Sequence, residues 1–159
     1  MDRLGIPWDR ELPRAARVLS PSDLGFHNAV QRDGQLVFLD FEYFGWDDPA
    51  KLICDFVLHP AMALSEPLKR RFVCEVLAAC DAEAGLARRL TFCYPLYGLK
   101  WCMIFLNEFV PQDLFRRGFA TQEARAREAI QSEQLTKAHG MLDHVERTYT
   151  HFPYGGEPE

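Results

Sequence analysis

The sequence predicts an α+β chain that is mainly α-helical, with a single β-hairpin in its first third. Three observations carry that reading. Asp33-Gly34 stands between two apolar runs, a strong signal for a two-residue hairpin turn. From Pro49 onward apolar residues recur at three- and four-residue spacing, the helical period. The 159 residues are 48% hydrophobic, enough to bury a real core in one ordinary domain spanning 1–159.

Taken in order, the hairpin comes first. If Arg32 faces Gln35, then Val30 lies opposite Val37, Asn28 opposite Leu39 and His27 opposite Asp40. Strands pair at about 4.8 Å, so Asn28 and Asp40 leave the same end of the hairpin within reach of one ion. The continuous apolar run Leu36–Leu39 suits a strand covered on both faces. Pro49 to His59 reads as a helix with Leu52, Ile53, Phe56 and Val57 on one face, expected to back the hairpin. A second helix should start at a Ser65 cap, with Pro67 in its first turn, and run to Cys80. It should bury Leu68, Phe72, Val73, Val76, Leu77 and Cys80 and turn Lys69, Arg70 and Arg71 to solvent. A third begins near Ala82 and should break or kink at Pro95, before an apolar helix from Leu96 to Phe109 central to the core and ended by Pro111. Thr121 should cap a last helix packed through Ile130, Leu135, Ala138, Leu142, Val145 and Tyr149. The tail from Pro153 to Glu159 reads as loose.

The chemistry is concentrated between residues 20 and 48. Asp23, Asn28 five positions later, and Asp40 at the far end of the hairpin have the layout of a magnesium-phosphate centre. Asp23 can accept a proton from a substrate hydroxyl. The amide oxygen of Asn28 and the carboxylate of Asp40 can hold a metal ion against nucleotide triphosphate oxygens. Each residue has a bland reading: Asp23 as a cap after Ser22, Asn28 as a turn former, Asp40 and Glu42 as polar groups at a strand end. Their joint occurrence favours chemistry, because a structural hairpin needs no carboxylates at both approaches. Glu42, Tyr43, Trp46 and Asp47 follow and suit a cationic or hydroxylated substrate, by charge and by ring contact, against plain aromatic packing. Lys100 and Glu108 on the apolar helix read as a satisfied pair, ahead of the alternative that they point into the substrate cleft.

Here the chain resembles the aminoglycoside phosphotransferase and choline kinase group, which shares the protein-kinase fold. That group carries His-Gly-Asp-x-x-x-x-Asn followed by Asp-Phe/Trp-Glu, matched by Asp23, Asn28, Asp40, Phe41 and Glu42. Glu42-Tyr43 is similar to the choline-kinase run Asp-Phe-Glu-Tyr. Asp48-Pro49-Ala50 is similar to the Gly-Asp-Pro-Ala segment of aminoglycoside kinases, and Trp101–Phe109 to a buried helix of the substrate lobe. The likeness covers about residue 18 to about residue 110. It implies a kinase-like carboxyl-terminal lobe that takes ATP and Mg2+ and transfers a phosphoryl group to a small-molecule hydroxyl.

Departures accompany the likeness. The family histidine two places before the catalytic Asp is Pro21, with Ser22 between, so other contacts must hold the loop, and proline stiffens it. The acid expected four residues after Asp48 is Leu52, and the nearest carboxylate is Asp55. Only 22 residues precede Asp23, no Gly-x-Gly-x-x-Gly occurs, and Lys51, Lys69, Lys100 and Lys137 all follow the catalytic loop. The expectation is a lobe of a longer or two-chain assembly, nearly inactive alone, with a missing lobe or partner chain supplying the lysine and lid. The alternative is a non-catalytic lobe that binds a ligand or protein. A metal-dependent phosphohydrolase is a third reading, less well matched by Asn28.

Composition narrows the rest. A net charge of -5 argues against a nucleic-acid partner. Arg88-Arg89, Arg116-Arg117 and Lys69-Arg70-Arg71 read as solvated helix faces. The 5 cysteines are odd in number and follow no metal or secreted pattern, so they read as reduced core residues. The 5 histidines form no zinc pair with them. The amino terminus lacks a signal-peptide core, and Leu99–Val110 falls short of the about 20 residues a membrane span needs. A cytoplasmic protein without membrane partners is expected.

Overall fold

Asp33 and Gly34 both adopt positive φ, 51° and 78°, which is what a two-residue hairpin turn of matching twist demands. They join β2 (Ala29–Arg32) to β3 (Gln35–Phe38) in antiparallel pairing. The register is the expected one, with Arg32 opposite Gln35 and Val30 opposite Val37. The Leu39 N–H donates to the Asn28 carbonyl at 2.8 Å, carrying the ladder one step further. Two short strands were not anticipated: β1 (Val18–Ser20) pairs antiparallel with β4 (Gly45–Asp47). This pair closes the base of the whole excursion 21–44. The computed structural model describes residues 11–80, 85–110 and 124–154.

β2–β3 stands as a separate two-stranded sheet, and this corrects one expectation. Leu36, Val37, Phe38 and Leu39 are 55%, 41%, 38% and 48% exposed rather than covered on both faces. An apolar run alone cannot tell a strand with layers above and below from one awaiting them.

The helices carry the core. α1 (Pro49–Leu58) starts at Asp48, whose side chain accepts from Ala50 N at 2.8 Å, with Pro49 in the first turn, where its missing N–H costs nothing. Asp48 also takes Arg89 at 3.1 Å, tying α1 to the next helix but one. α2 (Glu66–Ala79) begins at Ser65 as expected, although the Ser65 side chain makes no capping bond. Val73 is buried on it; Leu68 is 52% exposed, contrary to expectation. Lys69 ion-pairs with Glu66 at 3.1 Å and is only 15% exposed, so the basic triplet is not uniformly solvated.

α3 (Leu86–Phe105) runs unbroken through Pro95 and ends in a 3-10 turn, Leu106–Phe109. The expected break at Pro95 does not occur. Proline forfeits one bond, the one Thr91 O would accept, but packing on both sides keeps the helix continuous: α3 packs against α1 and against α4 (Ala124–Thr148). The buried line on α3 is Leu86, Leu90, Tyr94 and Gly98, at four-residue spacing. Leu96, Leu99 and Met103, expected at the centre, are exposed. On α4 the buried positions are Ala138 and Val145, with Met141 partly buried between them, while Leu135 and Leu142 face out. The stripe is narrower than the one anticipated: Ala138 and Val145 are buried as expected, whereas Leu135, Leu142 and Tyr149 are exposed.

Phe152 is buried and stacks on Tyr94 at 4.0 Å, and the Tyr154 hydroxyl donates to Glu66 at 3.3 Å. The stretch expected to be loose from Pro153 is therefore anchored at its start. Ala82, Pro111, Arg116-Arg117, Thr121 and residues 155–159, on which other expectations rested, lie outside the described residues. No helix among the described residues is long and apolar enough to cross a membrane.

Candidate functional site

β1 ends at Ser20, and the chain turns sharply. Ser22 sits in the left-handed region at φ 67°, its N–H bonded to Ser20 Oγ at 3.0 Å, and Asp23 N donates to Pro21 O at 2.8 Å. A 3-10 turn, Phe26–Asn28, then feeds β2. This folds Asn28 back onto Asp23: its Nδ2 donates to Asp23 O at 3.0 Å and to Asp23 Oδ2 at 3.3 Å. Both of those oxygens only accept, so the amide NH2 must face them and Asn28 Oδ1 is left for another partner. His27 Nε2 approaches the same Asp23 Oδ2 at 3.3 Å.

Asp40 follows Leu39, whose N–H is fixed by Asn28 O, so one rung of the ladder anchors both candidate ligands. It too is left-handed, at φ 58°, and exposed. Asp40 makes no hydrogen bond with Asp23 or Asn28; the structure pairs Asp23 with Asn28, and Asp40 follows the residue whose N–H bonds Asn28 O. Beyond it Tyr43 is 70% exposed and titrates above the ordinary phenol range, because Glu42 takes its hydrogen bond and adds negative charge. Phe41 meets Phe44 edge to face at 5.9 Å. Trp46 carries the Arg14 guanidinium over its ring at 5.3 Å, and with Asp47, Glu11 and Arg17 it lines a cavity of about 240 Å³. Asp47 is already engaged by Lys51 at 2.8 Å.

Sequence reasoning missed what lies under the loop. Asp47, Lys51, Asp55 and His59 recur every four residues along one side of α1 and its flanks, a pattern legible as i,i+4 spacing. Lys51 Nζ donates to Ser22 O at 3.0 Å and to Ser22 Oγ at 2.7 Å, and lies 3.9 Å from Asp55. Asp55 in turn takes Lys100, which settles the partner of Lys100 as this acid from α1 rather than Glu108. α1 thus backs the Asp23 loop rather than the hairpin strands, with Phe56 also meeting Phe26 edge to face at 6.1 Å.

His59 stacks on His27 with centroids 4.2 Å apart and planes within 11°. Burial holds the His59 imidazole below its ordinary pKa, and the proximity of His27 adds to this. Asp23, His27 and His59 are the one described set of three such side chains whose ligand atoms lie within 4.8 Å of one another. The geometry favours stacking over ligation. Imidazole lone pairs lie in the ring plane, so near-parallel rings do not aim them at a common point, and His59 Nδ1 already accepts from Ala61 N at 3.1 Å.

Cys54 is buried, and the cysteines are all free thiols. Burial pushes Cys54, Cys93 and Cys102 above the ordinary thiol range, which suppresses thiolate chemistry. No family model, no curated protein and no solved structure matches the chain.

Proposed function

We propose that the chain is a phosphotransferase lobe that positions a small-molecule hydroxyl for transfer of the terminal phosphoryl of ATP, with Mg2+ as cofactor. The observation that supports it best is the Asp23–Asn28 pair, 3.0–3.3 Å apart, set one ladder rung from Asp40. Asp23 is oriented by two donors and is exposed enough to meet a substrate hydroxyl as base. Asn28 Oδ1 and the Asp40 carboxylate are hard oxygen donors, the kind that suits magnesium. When bound, the ion would neutralise charge developing on the transferring group. Left-handed backbone at Ser22 and Asp40 brackets the constellation, as strained positions often do at functional sites. Glu42, Tyr43, Trp46 and Asp47 remain the substrate-side candidates, with Glu42, Tyr43 and Trp46 exposed.

This reading requires a phosphate-covering loop and lysine from a partner chain or another lobe. The exposed aromatic and aliphatic side chains from Leu36 to Trp46 support such an arrangement. The same surface favours the rival reading, a non-catalytic lobe that binds a protein. Thermal unfolding of the chain with ATP, with and without magnesium, separates the two. At about one hundred times the dissociation constant a ligand stabilises by about 2.7 kcal/mol, several degrees for this size. A magnesium-dependent shift lost in Asp40→Ala is expected. A folded chain that shows no such shift would leave the protein-binding reading in place.

A further inference from the structure

One ammonium group clamps the loop that carries Asp23. Lys51 Nζ lies 2.7 Å from Ser22 Oγ, 3.0 Å from Ser22 O and 2.8 Å from Asp47 Oδ2. Those are three acceptors for the three N–H donors an ammonium possesses, so its bonding directions are all committed. The side chain is 25% exposed, and its stem rises from α1, whose buried face fixes it to the core. Two of the three acceptors belong to Ser22, which holds a backbone conformation that non-glycine residues rarely adopt. Ser22 immediately precedes Asp23, and Asp23 O and Oδ2 are what orient Asn28.

We propose that Lys51 is a positioning residue: by holding Ser22 in its left-handed conformation it sets the direction of Asp23 and, through Asp23, of Asn28. Lys51 reaches the loop from a different element, a cation binding the Ser22 backbone and hydroxyl from beneath. Asp47 and Asp55 flank it four residues away on either side and keep it in place, and Lys100 holds Asp55. Without Lys51, Ser22 would relax toward ordinary φ, the Ser22–Asp23 peptide would rotate, and the Asp23 acceptors would leave Asn28 Nδ2. The functional consequence rests on the reading of Asp23 as base; the positioning itself does not.

The test uses the full chain, isotope-labelled, with the side-chain amide resonances of Asn28 as reporter and helical circular dichroism as the check on folding. In Lys51→Met the Asn28 amide pair is expected to move to the position of a solvent-bonded amide, and Mg2+-ATP affinity to fall about tenfold, the lower end of what loss of an outer support costs. Adding Ser22→Gly, which enters the left-handed region freely, should restore the amide position in the double variant. A folded Lys51→Met chain with unchanged Asn28 resonances overturns the proposal. So does failure of both Lys51→Met and the double variant to fold, since Lys51 would then serve stability alone. If the amide moves and is rescued but the wild-type chain binds no Mg2+-ATP, positioning stands and nucleotide binding by this chain alone falls.

Discussion

His144 on α4 shows how a single half-buried side chain makes stability depend on pH. Thr148 Oγ1 donates to His144 O at 2.7 Å, so its own acceptor side receives the Tyr94 hydroxyl at 2.9 Å, and Tyr94 Oη then accepts from His144 Nε2 at 3.2 Å. The chain of bonds runs one way and requires a proton on Nε2. Burial lowers the His144 pKa below 6.5; Lys69 and Arg147 push the same way and Glu66 opposes. In the unfolded chain the group titrates near its ordinary value, so between that value and the lower folded one only the unfolded state takes up the proton. Stability is then whole above about pH 6.5 and falls as pH drops through that window. Urea midpoints should decline from pH 7.5 to pH 5.5. His144→Gln keeps an N–H donor for Tyr94 and cannot titrate, so its decline should be visibly shallower. An equal slope in both would remove His144 from the account.

Between elements, the decisive contact is the crossing of α3 and α4. A Cβ on Gly98 would lie 2.3 Å from Val145 Cγ2 and 3.2 Å from Cγ1, and Val145 is a buried, β-branched side chain with no room to turn away. Gly98→Ala should therefore destabilise by about 1–3 kcal/mol through overpacking, despite the about 1 kcal/mol that alanine gains over glycine in a helix. Adding Val145→Ala should recover part of that loss, so that the double variant is more stable than the sum of the singles; calorimetry across the four chains reads the coupling. Additivity would mean that the helices separate to admit the methyl group. The helices themselves were legible from periodicity, and α1 and α2 lie within a residue or two of their expected bounds. Their faces were less so. The expected stripe on α4 held Ala138 and Val145, which are buried at the close crossing near Gly98, together with Leu135 and Leu142, which face out.

At the scale of the molecule, apolar surface is distributed unevenly. The buried core is built from α1, α2, α3, α4 and Phe152, while exposed Leu19, Phe26, Val30, Leu36, Val37, Phe38, Leu39, Phe41, Tyr43, Phe44 and Trp46 gather in one stretch of sequence. An isolated two-stranded hairpin is marginal in water without a layer on one face. Under native conditions the chain should accordingly bind a hydrophobic dye and show low hydrogen-exchange protection at Gln31 and Val37 beside strong protection at Ile53 and Leu90. Replacing Leu36 and Phe38 with Thr, which preserves strand propensity, should reduce dye binding and leave helical circular dichroism unchanged. Undiminished dye binding would place the accessible apolar surface elsewhere.

The sequence by itself determined the mainly helical α+β class, the Asp33-Gly34 turn and, through it, the register that puts Arg32 opposite Gln35 and Val30 opposite Val37, because turn chemistry and periodicity are local properties of the chain. It also marked Asp23 and Asn28, which the loop brings into contact. Only the tertiary structure decided that α3 passes through Pro95, that the hairpin stands uncovered, and that Lys51, 29 positions from Ser22, bonds that loop from beneath. Those outcomes depend on which faces meet. Spacing along the chain specifies that a stripe exists, but the surface it meets, and the charge beneath a loop, follow from the packing of distant elements.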